Sequence, residues 1–414
     1  MGEVTSVSEP RDSIAGTVVP GVAMIAVTFG LARYGYGLLL PEMQADLAVS
    51  PAAAGLISST AYVSYLAANF AVVWLTTRFG PRCPIGLAAA LAAVGMTEIA
   101  TSSGTVALAL GVLVAGAAAG LAFPPYADIV AQRVPRPRRA LAWSAISSGT
   151  GWGVAIAGPI AIGFGDRWRL AWLVFVVLAV AAGIVATLRA PARSTAPQHL
   201  PQLSWTWFVC PRSRPLLLSS VLVGAGSSVW WAFSVDGLRH AGIAATDARI
   251  VYAVCGAAGV LASLSGAVID RIGLRRSYLI ACMLLSAALL LLGFGAGRMP
   301  VAVLAAVLFG MFYNAVIATQ GVWSSRVFAE RPSAGLAAFN TALTLGTVIG
   351  PTVAGAAIHR SGFTATLIGA AVVIVPAVFF CPPTARRREL LAAHHCAATA
   401  YAQVGAEAAD RSAC

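Results

Sequence analysis

Charge is what this sequence has least of. Only 10% of its 414 residues are charged, against roughly 25% in an ordinary globular chain. That is too little polar surface to coat a particle of this size in water, so lipid is the solvent for most of it. Lysine is absent: all 27 basic side chains are Arg, which we read as the base composition of a GC-rich genome. The arginines do not form basic blocks with interleaved aromatics, so the net charge of +12 does not point to nucleic acid. The seven cysteines are odd in number, scattered and never spaced as CxxC, which argues against a disulfide framework or a zinc site. His394-His395-Cys396 is a lone run on a polar tail, and no metal is expected there. No HExxH, GxSxG or cluster of facing ionisable groups interrupts the apolar runs, which argues against a membrane-embedded enzyme. No GxxxxGK[ST] loop occurs, so neither ATP nor another cofactor is expected. No small-residue cleavage site follows the first apolar run, which is expected to stay as a membrane span.

Long hydrophobic runs fill the remainder. A crossing helix needs about 20 mostly apolar residues. Twelve such runs are read at 15–40, 53–76, 83–102, 105–132, 141–164, 168–189, 214–238, 248–269, 277–297, 300–325, 335–358 and 363–382. The expected organisation is a polar tail at 1–13, a six-helix bundle at 14–189 and a linker at 190–213. A second six-helix bundle at 214–382 and a polar tail at 383–414 complete the chain. Pro41 and Pro51 are expected to bracket the first outer loop. With both termini assigned to the cytoplasm, twenty arginines fall on inner segments, six on outer ones, and Arg33 lies within a span. That bias follows the positive-inside rule and accounts for the basic charge without a polyanionic partner.

The chain repeats itself. GAVIDRIGLRR closes the eighth run with Gly266, Asp270, Arg271, Gly273, Arg275 and Arg276, and VVWLTTRFGPR closes the second with Arg78, Gly80 and Arg82. These loops align at an offset of 193 residues, as do QRV at 132–134 and SRV at 325–327. Gly158-Pro159 aligns with Gly350-Pro351 at 192. One period argues for duplicated halves. GxxxDRxGxRR between the second and third spans of a half resembles the major facilitator superfamily, over the whole chain except its tails. Gly266 would let two helices approach, Asp270 would accept from a helix N-terminus, and the arginines would hold a cytoplasmic gate. The first half departs from that pattern, with Thr77 for the Asp and Val73 for the Gly, so Asp128 is the candidate partner for Arg78 or Arg82. The Arg that drug exporters tend to carry four residues before a span-4 Gly is Val112 here. The glycine-proline elements resemble those of exporters and tip the expected direction to export.

The resemblance implies a monomeric secondary transporter of a small solute, cycling by alternating access in the bilayer of the cell membrane. The alternative is a transporter-like sensor that binds solute without moving it. Spans 1, 4, 7 and 10 of the superfamily line the cavity. They supply Arg33, Tyr34 and Tyr36, Phe123 and Tyr126, Trp230 and Trp231, then Tyr313, Asn314, Gln320 and Trp323. That aromatic wall suits a molecule with an apolar body. Asp236, behind Trp230-Trp231, is the candidate for proton coupling, while Glu42 and Glu98 are expected to face water at outer ends.

Arg33 is the costly residue. Ala26, Gly30 and Gly37 share its helical face, and Val27, Leu31, Tyr34 and Leu38 form an opposite stripe expected to meet lipid. Arg33 therefore points inward, at a depth between roughly 4 Å outward of the midplane and the outer boundary. No acidic residue occupies the middle of spans 1–7. Its expected partner is an anionic group of the solute, against structural pairing with Asp236 or Glu98.

Overall fold

The computed structural model describes residues 14–192, 211–328 and 332–383. The tail 1–13, most of the linker 190–213, nearly all of 383–414 and the His394-His395-Cys396 run lie outside the described residues. Every regular element among the described residues is helical. The first half holds α1 (Ile14–Leu47), α2 (Pro51–Phe79), α3 (Arg82–Thr101), α4 (Thr105–Arg133), α5 (Arg139–Phe164) and α6 (Trp168–Arg189). The second holds α7 (Arg214–His240), α8 (Ala245–Val260, bent by 57° into Ser265–Ile272), α9 (Leu274–Gly295), α10 (Met299–Val327) and α11 (Pro332–Ile374).

Ten helices are long and apolar enough to cross a membrane, eleven with the bent α8 counted as one span. α11 has 43 residues, ~64 Å at 1.5 Å per residue, about twice the hydrocarbon thickness. It breaks at Gly362 (φ 79°), inside the gap between the last two hydrophobic runs. Phe379, Phe294 and Val106 are 82%, 76% and 74% exposed on the outside of the bundle, which suits a lipid-facing surface.

Local sequence sets the joints. Gly80 (φ 77°) and Gly273 (φ 84°) end α2 and the second limb of α8 in a conformation that side chains resist, which explains the glycine common to both repeated loops. Ser50 Oγ accepts from the Ala53 amide, with Pro51 in the first turn of α2. Pro41 does not end the first span: it lies inside α1, and the connection shrinks to Ala48–Ser50, with Ala48 left-handed at φ 51°. An interior proline gives up one helical hydrogen bond, a loss that membrane helices tolerate where neighbouring helices pack on the freed backbone.

The two halves meet along three seams. Gly37 of α1 lies against the Trp231 carbonyl of α7, Gly55 of α2 against the Pro351 carbonyl of α11, and Gly151 of α5 against the Gly256 carbonyl of α8. At each, a Cβ would collide with backbone. Ser59 Oγ adds a 2.6 Å bond to the Val348 carbonyl across the second seam. The first two lie toward the end of the bundle that holds Glu42 and the third at the middle of α5; the opposite end holds Arg78. α1 is enclosed between the halves, so the stripe expected to face lipid is overturned. Val27, Leu31, Tyr34 and Leu38 are at most 5% exposed.

Candidate functional site

The centre is built on a distortion of α1. From Ala26 to Arg33 the helix widens into π turns, closed by the Tyr34 amide donating to the Phe29 carbonyl at 3.0 Å. Such turns are rare and cluster at functional sites. They end on Arg33, ~4 Å past the midpoint of α1 by residue count, the deeper limit of its expected range. The guanidinium carbon lies 4.2 Å from the Tyr65 ring centre, 4.5 Å from Tyr62, 5.5 Å from Phe29 and 5.6 Å from Tyr34. No carboxylate pairs with it among the described residues, so the structural pairing with Asp236 or Glu98 is overturned, and its Nε has no hydrogen-bond partner. Aromatic faces supply the counter-field a buried cation needs, worth about 2 kcal/mol when desolvated.

Aromatic residues of the second half close over this cage. Tyr34 stacks on Trp231 with ring centres 4.1 Å apart, and its hydroxyl is 3.5 Å from that of Tyr313. Tyr252 Oη donates to the Tyr34 carbonyl at 2.8 Å. Trp230 stacks on Phe309 at 4.4 Å. A small cavity of about 10 Å³ remains between Arg33, Tyr34, Tyr36, Ser58, Tyr62 and Trp231, roughly the room one water needs. Tyr36 Oη donates to the Ala54 carbonyl at 3.0 Å.

Not every expected cavity residue joins them. Gln320 is buried, with Nε2 3.2 Å from Ser219 Oγ and Oε1 unpartnered. Asn314 bonds its own helix at Gly310. Trp323 packs edge-on against Tyr278 of α9, away from the cage. Tyr126 is buried with an unpartnered hydroxyl beside Gly21. Sequence reading missed Tyr62, Tyr65 and Tyr252. The first two stand three residues apart, a spacing that puts both on one helix face.

A charged cluster at the Glu42 end was also missed. Glu42, expected in water, is buried: its side chain is 5% exposed. Oε1 accepts from Arg239 Nη1 at 2.7 Å and Arg249 Nη2 at 2.9 Å, while Oε2 has no partner. Arg249, one of the six arginines counted on outer segments, is also buried and bonds the Gly165 carbonyl at 2.9 Å. The acid after Pro41 and the arginine opening an apolar run were the available signals. Asp236 is buried too, with Oδ1 3.1 Å from His240 Nδ1 and Oδ2 unpartnered.

The repeated loops occupy the other end. Asp270 and Arg271 are exposed, and no ion pair of Asp270 is found among the described residues. The space beside Gly266 is open, so the close helix approach expected there is absent. Arg275 is half-buried and Arg78 exposed, while Arg82 Nε donates to the Ala190 carbonyl at 3.0 Å. Asp128, half-buried, pairs with neither Arg78 nor Arg82. Pro159 and Pro351 sit inside unbroken stretches of α5 and α11, where Gly158 packs on Ala253 and Gly350 on the Ala225 carbonyl.

The fold is that of known membrane transporters. A point mutant of the nucleoside transporter NupG superposes with a TM-score of 0.75 at 15% identity, over 88% of this chain and 98% of that one. A bacterial homologue of the human lysosomal transporter Spinster, inward-facing and occupied, gives 0.71 at 14% identity, over 90% and 96%. No curated protein matches the sequence. The Major Facilitator Superfamily model matches residues 22–262 and 216–395. With an all-helical, multi-pass architecture and repeated halves, the chain belongs to the Major Facilitator Superfamily, a family of membrane transporters for small solutes.

Proposed function

We propose that this protein is a secondary active transporter. It moves a small organic solute with an anionic group and an apolar body across the cell membrane by alternating access. The observation that carries this reading is Arg33: a cation at the heart of the bundle, held by rings, with no protein carboxylate and an idle Nε. A solute carboxylate would meet its planar fork in a bidentate pair, and the surrounding rings would receive the apolar body. Breaking α11 at Gly362 and counting α8 as one span would make twelve crossings, with both termini on the cytoplasmic, Arg78 side. The closed seams at the Glu42 end then correspond to an inward-facing state. In the reverse state Asp270 and the arginines around it close the inner gate. Asp236 carries the coupling proton, and the physiological direction is export.

The test is counterflow in proteoliposomes with a panel of labelled aromatic and branched monocarboxylates, beside thermal-shift binding. Some member of the panel should bind and exchange. Arg33→Lys should weaken its binding about tenfold and Arg33→Gln up to about a hundredfold, as expected for a lost charged hydrogen bond. Wild-type affinity in Arg33→Gln overturns the anionic contact. Binding without exchange overturns the transporter in favour of a sensor. Asp236→Asn should abolish gradient-driven movement yet leave counterflow; retained gradient drive removes its coupling role.

A further inference from the structure

We infer that Glu42, Arg239 and Arg249 form a latch between the halves that sets how readily the Glu42 end opens. Glu42 stands on α1 of the first half, and its two arginines on α7 and α8 of the second. Arg249 reaches back to the Gly165 carbonyl, at the C-terminal end of α5, where the helix dipole favours a cation. One carboxylate and two guanidinium groups therefore tie four helices across the gap. The halves cannot separate at this end without breaking all three bonds.

The chemistry makes this a latch and not a rivet. Burying charges is nearly balanced by their attraction, so an intact buried cluster contributes little net stability. This one is also incompletely satisfied: Glu42 Oε2 and Arg249 Nε have no partner. Parting the halves would return every one of these groups to water. Removing one member has the opposite sign, because it strands the others in the closed state. Without Glu42, two guanidinium groups would face each other in an enclosed site. An open depression of about 720 Å³, lined by Glu42, Asp46, Arg169 and Arg239, flanks the cluster on one side. Arg239 is 35% exposed and Arg249 2%, so Arg249 is the inner bolt.

The experiment needs no substrate. Full-length protein in lipid, with accessible native cysteines replaced by serine, receives spin labels through Ser103→Cys and Ala244→Cys. Both are exposed loop positions at this end, one on each half. Wild type should give a predominantly short distance. Glu42→Gln should raise the ratio of long to short distances about tenfold or more. Arg239→Gln should raise it less, its side chain being partly in water. If Glu42→Gln fails to fold, Arg239→Gln decides. Unchanged distances in the variants that fold overturn the latch, whatever the solute and coupling ion prove to be.

Discussion

Glu42 and Asp270 are both acids near the end of a helix, each set against arginines, and their surroundings are opposite. The arginines of Asp270 are its neighbours in sequence, and the group stands exposed without an ion pair among the described residues. The arginines bonded to Glu42 lie 197 and 207 residues away, and the group is sealed between two halves. Adjacency along the chain produces a solvated basic loop; separation across a duplicated fold produces a buried bond. The two ends thus use the same residue types for different tasks. The Arg78 end suits orientation and headgroup contact, whereas the Glu42 end holds the halves together.

The largest effect should come from breaking the buried side. Arg249→Ala leaves Glu42 enclosed with one partner and should lower stability to unfolding by about 3–5 kcal/mol. The matching Arg78→Ala should stay within about 0.5 kcal/mol. Equal losses would erase the difference between the ends. Next come the glycines. Gly37→Ala would drive a methyl into the Trp231 carbonyl, at a cost of about 1–3 kcal/mol with loss of close packing. Gly266→Ala meets open space in a helix, so a gain of up to about 1 kcal/mol is expected in thermal unfolding. A penalty at Gly266 as large as at Gly37 would mean that helices do meet there. The smallest structural effect should be that of Asp270→Asn. Its unfolding should match wild type while counterflow slows through impaired closure at the Arg78 end. Thr77→Asp should be tolerated in the same assay. Unchanged counterflow in Asp270→Asn would leave the repeated loop with an orienting role alone.

Much of this fold is legible in the sequence because lipid demands long apolar helices. The gap between 358 and 363 falls on the break at Gly362, and the loops aligned at 193 residues both end on positive-φ glycines. What failed was the use of charge to draw helix ends. Pro41 and Glu42 look like a boundary, yet α1 continues to Leu47, because a packed membrane helix tolerates an interior proline and the acid is neutralised from the other half. Arg249 was lost the same way. Hydropathy averages one helix at a time and is blind to a partner two hundred residues on. The lipid stripe assigned to α1 failed for a related reason. Bulky apolar residues suit lipid and a neighbouring helix equally well, and a helix trapped between halves meets only the latter. Arg33 was legible as inward-pointing, but the two nearest rings of its cage, Tyr62 and Tyr65, came from α2, a helix the family pattern leaves out of the cavity wall.

The wide turns of α1 carry a mechanical consequence. A backbone bond spanning five residues where an ordinary turn spans four holds one residue of slack. If a single wide turn between Ala26 and Arg33 tightened, everything beyond it would rotate by about one residue's share of a turn, ~100°. Gly37 would swivel off the Trp231 carbonyl and Glu42 would swing away from both arginines, while Arg33 left its rings. α1 is thus wound like a crankshaft, on which the centre and the far closure cannot turn independently.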